Sequence, residues 1–528
     1  YEMSASLVGS EMCIRDRTSM MNFKMKNKTL FLCLPAMLNI PFGGSSVFGA
    51  NSEKDNKENS LKRPNVLVLL TDDQTFSTIH AWGNNEIQTP NMDRLVNQGM
   101  SFTQTHVMGG LNGAISQPSR AMLLTGRGLM DVHRNGQIIP KNEKTFPELF
   151  RENDYTTFGT GKWHSDKAAF NRSFSTGANI FFGGMHPYGN EKEEKGHRCP
   201  YLHEYDPTGK YKNGQWVNAS LNTFSSELYA DAAIKFIETN ASNDNPFLMY
   251  VAFTSPHDPR NVLPDYGRKY GSKEITMPKN FVTQHPFDNG DLNERDEKLL
   301  PTPRVPEQVL AERANYYSMV NEVDVQIGRI LDMLEKSGKA DNTIIVFAAD
   351  NGLCVGEHGL LGKQNLYEAA VRVPLVICGP NIPQNVTSDA YCYLYDLYPT
   401  LCDLSNIKAP TTVKGISLAQ TIQNPKVKKR KDILLTYINL QRAIKKDGFK
   451  LILYNVDGQR HPQLFDLKAD PMEMNNLYDN PKYSKKREEL TKLLYARMAS
   501  VGDFCDPTKP DWGYPTKLKW EQIVKVNP

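Results

Sequence analysis

Short, continuously apolar runs alternate along the chain with stretches of helical period. Residues 65–71 (NVLVLLT) leave almost no polar position to face water, as a strand buried on both faces requires. Residues 247–253, 343–348 and 373–377 read the same way, and 155–159 predicts a further strand. Between them, 225–239 carries Ala230, Ala233, Ile234 and Ile237 on one helical face. A long helix is predicted over 307–337, with Val320, Val323, Ile327, Ile330 and Leu334 in register. Shorter helices are predicted over 91–99 and 145–152, with 101–106 extended. The strand–helix rhythm predicts an α/β fold, a mostly parallel central sheet sandwiched by helices.

The texture changes near residue 431. Short strands at 433–437, 449–454 and 463–466, then a helix at 484–500, predict a small C-terminal α+β subdomain over 431–528. The main body then spans 63–430. Two long insertions, 165–224 and 258–306, are rich in Gly, Pro, Asn and aromatics, and loops of that length are usually functional or disordered. Phe181, Phe182 and Tyr188 in the first could stack on a sugar, although packing within the loop is the simpler expectation.

The beginning of the chain reads differently. Residues 1–19 resemble translated adapter read-through. Residues 20–50 place Lys24, Lys26 and Lys28 before an apolar stretch and small residues, the order of a secretory signal peptide. Residues 51–62 read as a flexible leader. The expectation is a secreted or periplasmic protein with no stable membrane span, since no later run approaches the ~20 apolar residues a span needs. With 62 Lys+Arg against 59 Asp+Glu, the net charge of +3 disfavours a nucleic-acid binder. Eight scattered cysteines without a CxxC pair disfavour both a disulfide scaffold and a zinc ribbon.

Acidic residues follow the buried strands. Asp72-Asp73 come directly after the first, Asp350-Asn351 after the 343–348 strand, and His257 just beyond 247–253. Open α/β sheets bind ligands outside the carboxyl ends of their strands. Three aspartates and an amide are hard oxygen donors that suit Ca²⁺ or Mg²⁺. Either pair alone reads as turn chemistry. The run Ser116-Gln-Pro-Ser-Arg120-Ala-Met-Leu-Leu-Thr-Gly126-Arg127 is a punctuated helix, with Ser116 at or near its N-cap, Pro118 in its first turn and Gly126 past its end. A nucleophile there sits in a field favouring negative charge, and Arg120 one turn on can donate to the same anion.

This run resembles, at every defining position, the signature of type I sulfatases of the alkaline phosphatase-like superfamily: Cys or Ser, any residue, Pro, Ser, Arg, two spacers, Leu-Leu-Thr-Gly-Arg. The satellites follow in the expected order: Thr71-Asp72-Asp73, Gly161-Lys162-Trp163-His164, Ser255-Pro256-His257, Asp350-Asn351-Gly352, Gly356-Glu357-His358-Gly359 and Gly362-Lys363. The likeness runs from about residue 65 to the segment around 464–471. Its texture is closer to the iduronate-2-sulfatase-like and choline-sulfatase-like branch than to animal arylsulfatases.

The resemblance implies a mechanism. Ser116, as in the serine-type bacterial branch, would be oxidised to formylglycine (3-oxoalanine) by a radical-SAM maturase. Its hydrate would attack sulfur with one hydroxyl, and the other would expel sulfate. Asp72, Asp73, Asp350 and Asn351, with an oxygen of modified Ser116, would hold calcium, or magnesium. Arg120 would stabilise the diol, Lys162 and Lys363 would grip the sulfate oxygens, His164 would orient or deprotonate the diol, and His257 would protonate the leaving alcohol. His358 would either face the substrate or order the loop before Lys363. His186, Arg260 and Arg442 are candidate sugar contacts. The expected substrate is a sulfated carbohydrate, an algal polysaccharide or glycosaminoglycan fragment. Two rivals share the superfold: a phosphonate monoester or phosphodiester hydrolase, and a non-catalytic sugar-binding relative.

Overall fold

Asn65–Thr71 lies inside an eight-stranded sheet, and all seven of its residues are buried. The structure, a computed structural model, describes residues 63–186, 196–212, 214–217, 223–260 and 263–528. The readings made for residues 1–62 and for Tyr188 lie outside the described residues. From one edge the strands run Val386–Ser388, Gly99–Phe102, Leu375–Cys378, Thr343–Ala349, Asn65–Thr71, Phe247–Ala252, Thr156–Lys162 and Thr176–Phe181. The five strands from Thr343–Ala349 to Thr176–Phe181 pair in parallel. Leu375–Cys378 is antiparallel to both its neighbours, so the mostly parallel sheet carries one reversed strand. Parallel pairing puts the carboxyl ends of Thr71, Ala349, Ala252 and Lys162 on one edge.

The alternation of side chains along the first strand separates two cores. Val66, Val68 and Leu70 pack with Trp163 and Tyr250. Leu67 and Leu69 pack on the opposite face against the helices Ser225–Asn240 and Pro306–Lys336. Period-2 packing on both faces is why the strand carries no polar side chain between Asn65 and Thr71.

The first insertion is not irregular throughout. It contains a helix, Lys167–Ser173, capped by Asp166 Oδ1 accepting from Ala169 N at 2.8 Å. The edge strand Thr176–Phe181 follows it.

The C-terminal sheet runs Gln459–Arg460, Phe449–Val456, Gln441–Lys446, Ile433–Tyr437 and Gly109–Gly110, with Gln463–Asp466 also paired to Phe449–Val456. Ser484–Ser500 is helical and packs on it. Gly109–Gly110, far upstream in sequence, pairs with Thr436–Tyr437 and ties this sheet to the segment that leads into Ser116. At Gly109 φ is +102°, and a Cβ would lie 1.9 Å from Thr436 O, so only glycine permits the pairing. Among the described residues, no helix is long and apolar enough to cross a membrane.

Candidate active site

Four adjacent parallel strands deliver the polar groups. Asp72 and Asp73 follow Asn65–Thr71, Asp350 and Asn351 follow Thr343–Ala349, His257 lies beyond Phe247–Ala252, and Lys162 ends Thr156–Lys162. Asp350 N donates to Thr71 O at 3.1 Å, and Asp73 N donates to Asp350 Oδ1 at 3.1 Å. Asp73 takes a left-handed backbone (φ 63°), which turns the chain sharply at the strand end.

Ser116 begins the helix Ser116–Thr125, which stops at Gly126 in a left-handed conformation (φ 66°). Ile115, not Ser116, occupies the N-cap, so the Ser116 hydroxyl is not spent on capping. Its Oγ lies 3.1 Å from Asp72 Oδ1 and 2.9 Å from Asn351 Oδ1. The Asn351 amide is oriented by its own donors: Nδ2 donates to Asp73 Oδ1 at 2.5 Å and to Gly352 O at 3.0 Å, which turns Oδ1 toward the serine. Arg120, fully buried, donates from Nε to Asp350 Oδ2 and from Nη1 to Lys162 O, both at 2.8 Å. Its Nη2 is buried without a hydrogen-bond partner, 3.8 Å from Asp72 Oδ1.

Lys162 Nζ donates to Asp72 Oδ2 at 2.5 Å, and Lys363 Nζ to both Asp73 oxygens at 2.6 and 2.8 Å. Burial alone would push these carboxyls up. The cations outweigh it at Asp72, which Lys162, His257 and Arg120 hold well below the usual carboxylate range. Asp73 is lowered for the same reason, chiefly by Lys363. At Asp350 burial and the Asp72 charge prevail over Arg120 and raise it. Burial depresses the Lys162 amine against the pull of Asp72. It also drives His164 well down, reinforced by Lys162 and Arg120, so that ring is neutral.

Carboxylate oxygens of Asp72, Asp73 and Asp350 all lie within 4.8 Å of one another. Three clustered buried carboxylates, Asp72 among them in contact with the Ser116 hydroxyl, and the Asn351 carbonyl beside that hydroxyl fit a hard divalent cation. The set is all oxygen, so it does not select zinc.

Ser116, Lys162, His164, His257 and Lys363 line one cavity of about 340 Å³. His164 Nδ1 is buried without a partner. His257 Nδ1 lies 2.7 Å from Asp258 O and 3.2 Å from Asp258 Oδ1, and Nε2 is 3.6 Å from Asp73 Oδ2.

His358 and the three sugar-contact candidates do not line this cavity. His358 stacks on Tyr367 with ring centroids 3.8 Å apart, and Asn280 Nδ2 lies 3.1 Å from its Nε2. Burial lowers its pKa to about 4. His186 packs on Phe181 with Nε2 3.1 Å from Thr254 Oγ1. Arg260 pairs with Glu312 at 3.2 Å and lies over Tyr316. Arg442 is in the C-terminal sheet, fully buried. It pairs with Asp503 through Nε at 2.6 Å and Nη2 at 2.8 Å, which puts it outside the site.

Sequence reasoning missed the part of the cavity wall supplied by Glu294, Arg295, Asp296 and Gln364. Arg295 grips the Asp258 carboxylate, and Gln364 Nε2 donates to Asp296 Oδ2 at 3.0 Å. The first three come from the 258–306 insertion, whose length was the only signal for them.

Residues 64–407 match the sulfatase family model, and 356–500 match the model described as N-sulphoglucosamine sulphohydrolase, C-terminal. The chain belongs to the sulfatase family. It is a type I sulfatase, a sulfuric ester hydrolase on an alkaline phosphatase-like fold. It is 30% identical to an N-acetylglucosamine-6-O-sulfatase of Bacteroides thetaiotaomicron, over 87% of this chain and 90% of the relative. It is 28% identical to an ulvan-active sulfatase of Formosa agariphila, over 84% and 82%. A solved structure of a protein in complex with its substrate D-glucosamine-2-N,6-O-disulfate superposes with a TM-score of 0.64 at 26% identity, covering 85% of this chain and 99% of that one. The phosphonate monoester hydrolase of Agrobacterium radiobacter shares the fold at 22% identity and a TM-score of 0.66, covering 83% and 96%.

Proposed function

We propose that the protein removes sulfate from a sulfated carbohydrate, with Ser116 in its formylglycine form as nucleophile and calcium, or magnesium, held by Asp72, Asp73, Asp350 and Asn351. The single observation that carries this reading is the convergence of Ser116 Oγ on Asp72 and Asn351 at the edge where Lys162 and Lys363 are also held. The relatives named for sulfated sugars support the substrate class.

The modified residue would supply a geminal diol, one hydroxyl to attack sulfur and one to release sulfate, and a metal held by Asp72, Asp73, Asp350 and Asn351 would supply Lewis-acid polarisation of the ester. The chain's own groups do the rest. Lys162 and Lys363 bind the sulfate oxygens. Arg120 Nη2, a buried donor without a partner, stabilises charge on the attacking oxygen. His164, neutral and with a partnerless Nδ1, accepts the proton in the release step. The Asp258 carbonyl engages Nδ1 of His257, which leaves Nε2 to carry the proton to the leaving alcohol.

Secretion or a periplasmic location, processing of 20–50, maturation by a radical-SAM enzyme and a catalytic body over 63–430 with a 431–528 subdomain belong to the same proposal. A phosphate- or phosphonate-ester hydrolase of two-zinc type is less well supported. Among the described residues, the two groups able to hold a metal include one histidine in total.

The test is a comparison of enzyme co-expressed with a maturase and enzyme made without it, on aryl sulfate, aryl phosphate and sulfated oligosaccharides. Matured enzyme should release sulfate, and the Ser116 peptide should carry the mass of formylglycine. Full activity with unmodified Ser116, or faster phosphate turnover, would overturn the proposal.

A further inference from the structure

A second cavity, of about 440 Å³, shares no lining residue with the first. The two are linked by one strand, Gln441–Lys446. Gln441 Nε2 donates to Gln364 O beside the catalytic cavity, whereas Lys445, four residues and about 13 Å further along, lines the second. Its volume falls within the ~300–1,000 Å³ typical of small-molecule sites.

Six Lys/Arg and three Asp/Glu line it, so its wall is positive although the chain is nearly neutral. The distribution matters more than the count. Lys428 pairs with Asp389 at 2.5 Å and Lys445 with Glu368 at 2.6 Å, which uses two of the three acids. Arg372, Lys431 and Lys468 have no carboxylate within ion-pair distance among the described residues; Asp447 is the lining acid likewise without an ion pair. Arg372 is held in place. Its Nε donates to Thr103 O at 2.7 Å and its guanidinium lies 3.7 Å over the Phe76 ring, so it meets an anion with little ordering cost.

Two further features are those of a sugar site. The half-buried ring of Tyr391 forms part of the wall, its hydroxyl anchored by accepting from Gly448 N at 3.2 Å. Gln104, also lining the cavity, carries a buried Oε1 with no hydrogen-bond donor. That oxygen can accept from a hydroxyl but not from a bare sulfate, which carries no donor.

From a fixed guanidinium with two further cations free of ion pairs, an aromatic ring and an unused acceptor we infer that this cavity binds a sulfated sugar residue of the carbohydrate chain, at a position remote from the ester being cleaved. The inference rests on the substrate class proposed above. It supplies affinity for the polymer and does no chemistry.

Affinity electrophoresis of the full-length protein through gels containing chondroitin sulfate or heparin, with hyaluronan, neutral dextran and single-stranded DNA as comparisons, tests this without turnover. The triple variant R372A/K431A/K468A and the exposed-site double variant K431E/K468E should each bind the sulfated glycans roughly tenfold more weakly than wild type. K431R/K468R should bind like wild type. All three should hydrolyse a small aryl sulfate at the wild-type kcat/KM, which reads the sulfatase assignment separately from the cavity. Wild-type-like retardation of both charge-removing variants would overturn the inference. So would DNA or hyaluronan retarding wild type as strongly as the sulfated glycans, or inorganic sulfate displacing it at the same concentration as a free sulfated disaccharide.

Discussion

Ser116 Oγ and Asn351 Oδ1 lie 2.9 Å apart although 235 positions separate them in the chain. The contact joins the start of a helix to the end of the Thr343–Ala349 strand. It predicts that Ser116→Ala keeps the fold and loses the chemistry. Sulfate release should fall by about 10⁴-fold or more, with thermal unfolding nearly unchanged. Retention of a tenth of wild-type turnover would remove Ser116 from the nucleophile role.

Chelation should act on both activity and stability. Three carboxylates within 4.8 Å of one another gain from a shared divalent cation beyond what their pairs with Lys162, Lys363 and Arg120 supply. Treatment with a chelator should lower turnover and lower Tm, and Ca²⁺ or Mg²⁺ should restore both. Restoration by Zn²⁺ alone would contradict the oxygen-donor reading.

Arg442 should prove structural. Arg442→Met leaves the buried Asp503 carboxylate without its partner, at a cost of about 3–5 kcal/mol in chemical denaturation. KM for a small aryl sulfate should not move. A selective rise in KM with stability intact would return Arg442 to the substrate.

Glu322 should set part of the stability profile with pH. It is fully buried in the helix Pro306–Lys336 and accepts from Ser255 and Ser226 at 2.9 and 3.1 Å through Oε2, and from Tyr266 at 2.9 Å through Oε1, anchoring the turn that leads to His257. Burial raises its pKa from 4.5 to about 7. Below the unfolded value both states hold the proton and nothing is lost. As pH rises toward 7 the unfolded state ionises first, so stability falls, by up to about 3 kcal/mol. Glu322→Gln should flatten this part of the Tm–pH curve and match or exceed wild-type stability at pH 8. An unchanged slope between pH 4.5 and 7 would show that Glu322 is ionised in the folded state.

Much of this architecture was legible in the chain because its signals are local. The 65–71 and 343–348 strands are apolar on both faces and end in acids, so their existence and the edge where they meet follow from pattern. The helix predicted at 91–99 spans Pro90–Gln98, and Gly99 begins a strand instead. The strand Gln441–Lys446 was missed. Its sequence, QRAIKK, reads as surface, yet Arg442 and Lys445 are buried against Asp503 and Glu368. A polar residue can sit in a core when a distant partner satisfies it, and the pattern of one segment carries no trace of that partner.

The sequence by itself determined the alternating α/β body, the helix that presents Ser116, and the residue types gathered for sulfate ester chemistry, since each depends on neighbours a few positions away. Only the tertiary structure decided which of them meet. It brought Lys162 to Asp72 and Lys363 to Asp73, turned Asn351 toward Ser116, and supplied Glu294, Arg295 and Asp296 to the cavity wall. It also sent Arg442 into the C-terminal sheet. Those outcomes depend on burial and on pairing between charges far apart in the chain, which strand register and loop path set and local pattern does not.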